Sequence, residues 1–430
     1  MSNNLFEAIY KPDVLSCLAD LSNDEVLTPP EVANAMLDLL PKEIWRDPSI
    51  KILDPACKSG VFLREAAKRF LEGEKDIYPN LEERIEHIFK EQLYGIAITE
   101  MTSLMSRRSL YCSKYANSPF SIVDFYTSDG NIKYHAIQHA WSGNSCMFCG
   151  ATKSQFNRIS SLESHAYEFI HTLKPEDLFN MKFDVIISNP PYQLSDGGGM
   201  GTSSVPLYNS FIEQAKKLKP RYLSMIIPAR WYSGGKGLDD FRNEMLSDSH
   251  MTKLVDYFDS KDCFPGVDIS GGVCYFLWER DVKSDCSVTT VFNGKETTMR
   301  RPLLENNRDT FIRFNDAVSV VRKVDSKQEE SFESIVSARR PFNIDPKAEI
   351  RKVQHSNEIK IYAWPENGYI RTSEVKQNYD DVDKYKVFIA KAYGERGSFP
   401  YLVTAKPFIG EPGSCCTETY LMIGASEDRE

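Results

Sequence analysis

Apolar positions change rhythm along this chain in a way that predicts alternating helices and strands. Apolar residues recur at helical spacing from Glu31 to Leu40. Ile52-Leu53 then reads as a buried strand that ends in a small-residue turn, Asp54-Pro55-Ala56-Cys57-Lys58-Ser59-Gly60, and passes into the helical pattern Val61-Phe62-Leu63-Arg64-Glu65-Ala66-Ala67. A second strand is expected over Leu93-Tyr94-Gly95-Ile96-Ala97-Ile98-Thr99-Glu100, and a third over Phe183-Asp184-Val185-Ile186-Ile187-Ser188. The third run stops at two prolines, which marks a buried parallel strand whose end is a stiff loop. Helices Leu207 to Leu218 and Leu238 to Ser247 then alternate with strands Arg221 to Ile227, Met251 to Phe258 and Val273 to Trp278. Such alternation predicts an α/β fold.

The rhythm fails in three places. A polar stretch from about residue 112 to 175 interrupts the alternation and reads as an inserted subdomain. Glycines cluster at Gly197 to Gly201, directly after the two prolines, as a mobile lid or a plain surface loop would have them. From about Asp309 to Lys323 a helical linker leads into residues 331–430, where short aromatic and glycine-rich strands lack any helical period. The predicted organisation is therefore a first domain over 1–300, a helical linker over 301–330 and a small mixed α+β domain over 331–430, truncated after Gly424.

The chemistry concentrates after the third strand, in Asn189-Pro190-Pro191-Tyr192. Loops at the carboxyl ends of parallel strands are where open α/β sheets place their sites. Prolines 190 and 191 fix φ and remove two donors, so Asn189 Oδ1 and the Pro190 carbonyl are preset acceptors, and Tyr192 adds a π-face. Two acceptors beside an aromatic platform suit an exocyclic amino group on a planar base. A surface Pro-Pro-Tyr ligand would leave the buried strand before it unexplained. Upstream, the turn from Asp54 to Gly60 puts backbone and a helix N-terminus where a nucleoside can approach.

Together, the two loops make the chain resemble the amino-methylating DNA methyltransferases that use S-adenosylmethionine, and more closely the adenine-N6 enzymes of bacterial restriction-modification systems. The resemblance runs from roughly residue 24 to 300. It implies a Rossmann-like methyltransferase sheet, a C-terminal target-recognition region, double-stranded DNA as partner and a restriction endonuclease encoded separately. It implies a catalytic set of Asn189, Pro190 and Tyr192. It also implies a donor-binding set of Thr28, Asp54, Pro55, Ala56, Ser59, Gly60, Glu100 and Phe211. Thr28, in Leu27-Thr28-Pro29-Pro30, would meet the amino-acid end of the donor, although a helix cap is its plain alternative. Glu100 is the nearest acid for the ribose hydroxyls because Ala97 stands where the family usually has one; as a first-turn residue it equally stabilises the next helix. Phe211 sits where the family places an apolar residue behind the donor's adenine ring, and helix core is its other reading. The chain also departs from the family at Lys58, where glycine is usual.

The expected chemistry follows from the acceptors. Holding both N6 hydrogens localises the amino lone pair toward the donor methyl for in-line transfer, once the base has flipped out of the duplex. No Pro-Cys dipeptide occurs, which removes the cytosine-C5 route. Methylation of RNA guanine N2 or of a protein glutamine, and a non-catalytic DNA-binding subunit, remain as alternatives. Asp281-Val282-Lys283 and Glu374-Val375-Lys376 have the form of nuclease triplets, without the preceding Pro-Asp.

Charge narrows how DNA is met. The 430 residues carry a net charge of -9, so contact must come from local patches: Arg107-Arg108, the lysines at 216, 217 and 219 with Arg221, Arg339-Arg340, and the loop holding Arg396. No apolar stretch approaches a membrane span, and ten cysteines without a signal peptide point to a reducing, cytoplasmic location. Cys146-Met147-Phe148-Cys149-Gly150 is a knuckle that lets two thiolates face one tetrahedral metal. With Cys112 as third ligand and His139 or His165 as fourth, it predicts a structural zinc site.

Overall fold

A strand that is apolar on both faces needs cover on both faces, and the central strands are built this way. The computed structural model describes residues 26–157, 164–194, 205–235, 237–305, 308–391 and 405–429. These fall into two compact units, Met1–Val320 and Val321–Glu430. In the first unit lie β1 (Ile52–Cys57), β2 (Leu93–Ala97), β3 (Ile132–Lys133), the two-stranded hairpin β4 (Trp141–Ser142) and β5 (Ser145–Cys146), then β6 (Val185–Ser188), β7 (Tyr222–Pro228), β8 (Met251–Tyr257), β9 (Val273–Glu279), β10 (Cys286–Phe292) and β11 (Lys295–Arg301). All but the hairpin join one sheet, in the order β11-β10-β8-β9-β7-β6-β1-β2-β3. The strands from β3 to β7 run parallel, and β9 is antiparallel between β7 and β8. This is the Rossmann-like sheet that the resemblance implies.

The helices are α1 (Pro30–Leu37), α2 (Val61–Gly73), α3 (Leu81–His87), α4 (Glu100–Tyr111), the single turn α5 (Lys153–Phe156), α6 (Tyr208–Lys217), α7 (Asp239–Ser247) and α8 (Asn315–Asp325). Ile52, Leu93, Val185 and Ile187 face one core with Met36 of α1, Phe62 and Phe70 of α2 and Tyr111 of α4. Leu53, Tyr94, Ile96 and Ile186 face the other, with Phe211 and Ile212 of α6 and Met245 of α7. The period-2 alternation of the strands thus sorts neighbouring residues into two cores, and the parallel strands read as unbroken apolar runs for that reason.

The hairpin of β10 and β11 and the edge strand β3 are not among the expected elements. The hairpin of β10 and β11 turns at Asn293 and Gly294, with φ of 50° and 70°, the left-handed pair that Asn-Gly supplies best. The stretch over 112–175 contributes β3 as the edge of the main sheet, because Ile132 and Lys133 pair with Gly95 and Ile96. The Gly197 to Gly201 cluster and Arg396 lie outside the described residues.

The second unit holds β12 (Glu358–Tyr362), β13 (Gly368–Arg371), β14 (Tyr385–Ala390), β15 (Phe408–Gly410), β16 (Ser414–Cys416) and β17 (Tyr420–Ser426). They form two three-stranded sheets, β13-β12-β16 and β15-β14-β17, around Phe342, Ile361, Phe388 and Cys415. Lys386 is buried here and donates to the carbonyls of Asp381, Val382 and Lys384 at 2.7, 2.7 and 2.9 Å. Burial pulls its pKa down to about 8. Among the described residues, no helix is long and apolar enough to cross a membrane.

Candidate active site

Two loops emerge side by side because their strands are hydrogen-bonded neighbours. β1 and β6 pair in parallel, Ile52 opposite Val185 and Leu53 opposite Ile186, while β2 lies on the other side of β1. The winding of the sheet reverses at this pair, and a crevice opens beyond the carboxyl ends. Pro55 lacks an N–H, and the ladder of β1 with β2 slips between Asp54 and Cys57. Asp54 Oδ1 accepts from Ser188 Oγ at 2.6 Å and from the Ala56 N–H at 3.2 Å, tying the two loops together. Burial nevertheless pushes the Asp54 carboxyl up to about 6, against these bonds and the nearby Lys58 charge.

Gly60 starts α2 with a φ of 75°, a conformation that L side chains rarely adopt. A Cβ there would stand 2.7 Å from Leu110 Cδ1 and 3.2 Å from Ser106 Cα and O. Ser106 of α4 supports the turn from behind, since its hydroxyl donates to the Lys58 carbonyl at 3.0 Å and meets Cys57 Sγ at 3.2 Å. The result is a recess lined by Thr28, Asp54, Ala56, Ser59, Gly60 and Asn189, with Lys58, Val61 and Phe62.

Asn189 carries the most telling geometry. It is buried, and its Nδ2 donates to the Val26 carbonyl and to Thr28 Oγ1, both at 3.0 Å. A carbonyl oxygen can only accept, so the contact with Val26 decides which end of the amide is nitrogen. Asn189 Oδ1 is then left buried without a partner. A buried acceptor with nothing to accept costs on the order of 1–3 kcal/mol, and it is an opening for a donor from outside the chain.

The structure brings Thr28, Asp54, Ala56, Ser59, Gly60 and Asn189 to one recess and leaves others apart. Thr28 does not cap α1: the N-cap is Pro29, and the Thr28 hydroxyl accepts from Asn189 instead. Pro55 is buried and does not line the recess. Glu100 is exposed in the first turn of α4 and does not line the recess; Thr99 and Thr102 form the capping box of that helix. Phe211 is fully buried between Tyr167 and Phe169, with ring centroids at 6.1 and 5.8 Å, so it is helix core. Tyr192 is half-buried; its hydroxyl lies inside without a partner, beside Cys263 and Cys274, and burial raises its pKa well above the ordinary value.

Lys58, the departure from the family pattern, is accommodated without strain, since its φ is not positive. Its ammonium reaches back to the Val26 carbonyl at 3.0 Å, the same oxygen that holds the Asn189 amide. Sequence reasoning missed Val26 because its contribution is a main-chain atom. Several cationic patches are also spoken for. Arg107 is buried on the Ile132 carbonyl and Asp129, Lys216 pairs with Glu244 and Asp248, and Arg339 and Arg340 share Glu418.

Around the knuckle, His139, Cys146, Cys149 and His171 place one potential ligand atom each within 4.8 Å of the others. Cys112 is not among them: it ends α4, exposed, in a left-handed conformation. His165 is also outside the group, with Nδ1 at 3.3 Å from the Tyr167 hydroxyl. Burial lowers His171 to about 4 and raises the Cys149 thiol to about 12.

Comparison with known proteins gives a consistent picture. The model of the Eco57I restriction-modification methylase family matches residues 91–264. An uncharacterized adenine-specific methylase of Mycoplasma pneumoniae is 35% identical over 369 residues, which cover 77% of this chain and 87% of that one. Among solved structures, the ATP-dependent Type ISP restriction-modification enzyme LlaBIII bound to DNA aligns with 95% of this chain at a TM-score of 0.49 and 11% identity, and this chain spans 35% of its length. The Type IIL restriction-modification enzyme MmeI in complex with DNA aligns with 96% of this chain and 60% of its own, at a TM-score of 0.47 and 11% identity.

Proposed function

The chain belongs to the adenine-specific methylases, S-adenosylmethionine-dependent DNA methyltransferases, and from that premise we propose that its reaction runs in the recess between the loops after β1 and β6, on an adenine flipped out of duplex DNA. The observation that carries the proposal is the buried, unpartnered Asn189 Oδ1 at the edge of that recess. The donor supplies a methyl group on a positively charged sulfur. Thr28, Asp54, Ala56, Ser59 and Gly60 hold it, with the free N–H groups at the start of α2 facing the recess. Asn189 Oδ1 accepts one N6 hydrogen and the Pro190 carbonyl the other. With the donor bound, the lone pair thereby freed would take its methyl group, the bonding pair returning to the donor's sulfur and one N6 proton leaving to solvent. Tyr192 stacks on the base, which offsets part of the few kcal/mol that flipping costs.

The direct test is product analysis with labelled donor on DNA, RNA and protein, followed by mapping of methylated sites in an expressing host. Label in N6-methyladenine of DNA at a defined sequence is expected; label confined to RNA or protein would replace this reading. We propose further that the protein serves a restriction-modification system, beside an endonuclease on another chain.

Asp54 gives a pH prediction. In the free protein its folded pKa of about 6 lies above the ordinary 3.8. A bound cation favours the carboxylate. Donor affinity should therefore be constant above pH 6 and fall about tenfold for each unit below it, as one proton must be expelled. Calorimetry between pH 5 and 8 reads this, and affinity that rises on acidification would refute the role of Asp54.

The second unit is proposed as the target-recognition region. A chain ending after Val324 should keep donor binding and lose selectivity for specific over scrambled duplex at fixed salt. Selectivity retained by the shortened chain would move recognition into the first unit.

A further inference from the structure

We propose that His139, Cys146, Cys149 and His171 form a Cys₂His₂ structural zinc site that fastens to the knuckle the segment around His171, on which the helix following the catalytic loop packs. The argument begins with the two imidazoles. His139 Nε2 lies 2.6 Å from the Ser164 carbonyl, and His171 Nδ1 lies 2.7 Å from the Tyr167 carbonyl. Each carbonyl can only accept, so in the neutral rings the proton sits on these two nitrogens. The remaining nitrogens, His139 Nδ1 and His171 Nε2, both carry lone pairs, and they face each other at 3.3 Å. Neither can donate to the other. Cys149 Sγ lies 3.4 Å from the same His139 Nδ1. A cation between these atoms resolves the conflict.

The two short separations, between the histidine nitrogens and from Cys149 to His139, suit zinc. Bond lengths of about 2.05 Å to nitrogen and about 2.3 Å to sulfur at tetrahedral angles give edges of about 3.3 Å between nitrogens and about 3.6 Å between nitrogen and sulfur. The outer partners suit it as well, because a ligating histidine ordinarily gives its other N–H to a carbonyl or carboxylate. The sulfurs come from a tight turn. Cys146 ends β5, its N–H donates to the Ala151 carbonyl at 2.8 Å, and the Gly150 N–H returns to the Cys146 carbonyl at 3.1 Å. His139, Cys146 and Cys149 are buried. Four protein ligands leave no open position, so the site is structural, and loading it releases the two thiol protons to solvent.

The location gives the site its consequence. Gln214 of α6 donates through Nε2 to the carbonyls of Phe169 and Thr172, at 3.0 and 2.7 Å, on either side of His171. Phe211, one turn earlier on α6, packs on Phe169 and Tyr167. At the N-terminal end of α6, the Leu207 N–H donates to the Tyr192 carbonyl. A metal on His171 thus anchors the far end of a helix whose near end holds the catalytic loop. This inference stands apart from the methyl-transfer reading and survives its failure.

The full-length chain, purified reduced and without chelator, should hold about one zinc after dialysis against equimolar zinc. Cobalt(II) in its place should give the visible bands of a tetrahedral centre and a thiolate charge-transfer band in the near ultraviolet. Cys146→Ser with Cys149→Ser should lose the metal, as should His171→Ala, whereas Cys112→Ser and His165→Ala should keep it. Chelation should lower the thermal midpoint. The wild-type cobalt spectrum decides the matter even where a variant fails to fold. Absent metal, an octahedral spectrum, or loss of metal in Cys112→Ser would overturn the assignment.

Discussion

Asn189→Ala is expected to lower methyl transfer by on the order of 10³-fold while donor affinity, read by calorimetry, stays within a few-fold of the parent. The expectation rests on a division within one side chain. Nδ2 is committed to the Val26 carbonyl and Thr28, and Oδ1 is held out, buried and unpartnered. In the proposed reaction only Oδ1 reaches the target amino group, so its loss falls on the transfer step. The fold tolerates the change because the Val26 carbonyl keeps its bond to Lys58, and the lost hydrogen bonds cost about 1–2 kcal/mol. Single-turnover kinetics separate transfer from product release. Turnover near the parent rate would remove Asn189 from the reaction.

Gly60→Val should abolish donor binding and lower stability by about 2–4 kcal/mol. Glycine is required twice over at this position. Its φ of 75° strains any residue with a Cβ, and that Cβ would press on Leu110 and on the backbone of Ser106. Leu110 is buried, so its side chain has little room to yield. The turn must then move off α4, and the turn is one wall of the recess. Circular dichroism at low temperature distinguishes a folded protein that cannot bind from an unfolded one. Unchanged donor affinity in a folded variant would show that the recess is not the donor site.

The central sheet was legible because burial on both faces leaves continuous apolar runs, and because prolines 190 and 191 punctuate one of them. The hairpin at Asn293-Gly294 was legible too, from its Asn-Gly turn signal. Other features lie beyond what residue types record. The Val26 carbonyl that orients Asn189 belongs to the main chain, which every residue shares. Phe211 is placed in the core by Tyr167 and Phe169, partners in the inserted stretch that the family pattern does not specify. Glu100 follows its strand at the right distance in sequence, yet the helix start turns it to solvent. Cys112 was grouped with the knuckle on residue type, while His171 follows Cys149 at no metal-binding spacing and joins it only through the packing of the insertion.

The hydrogen bond between Asn189 and Val26 spans 163 residues of chain. Contacts between such distant segments form late, after most of the intervening structure is in place. A nascent or partly folded chain therefore displays both signature loops but lacks an oriented amide. Competence therefore waits on closure of the segment before α1 onto the loop after β6.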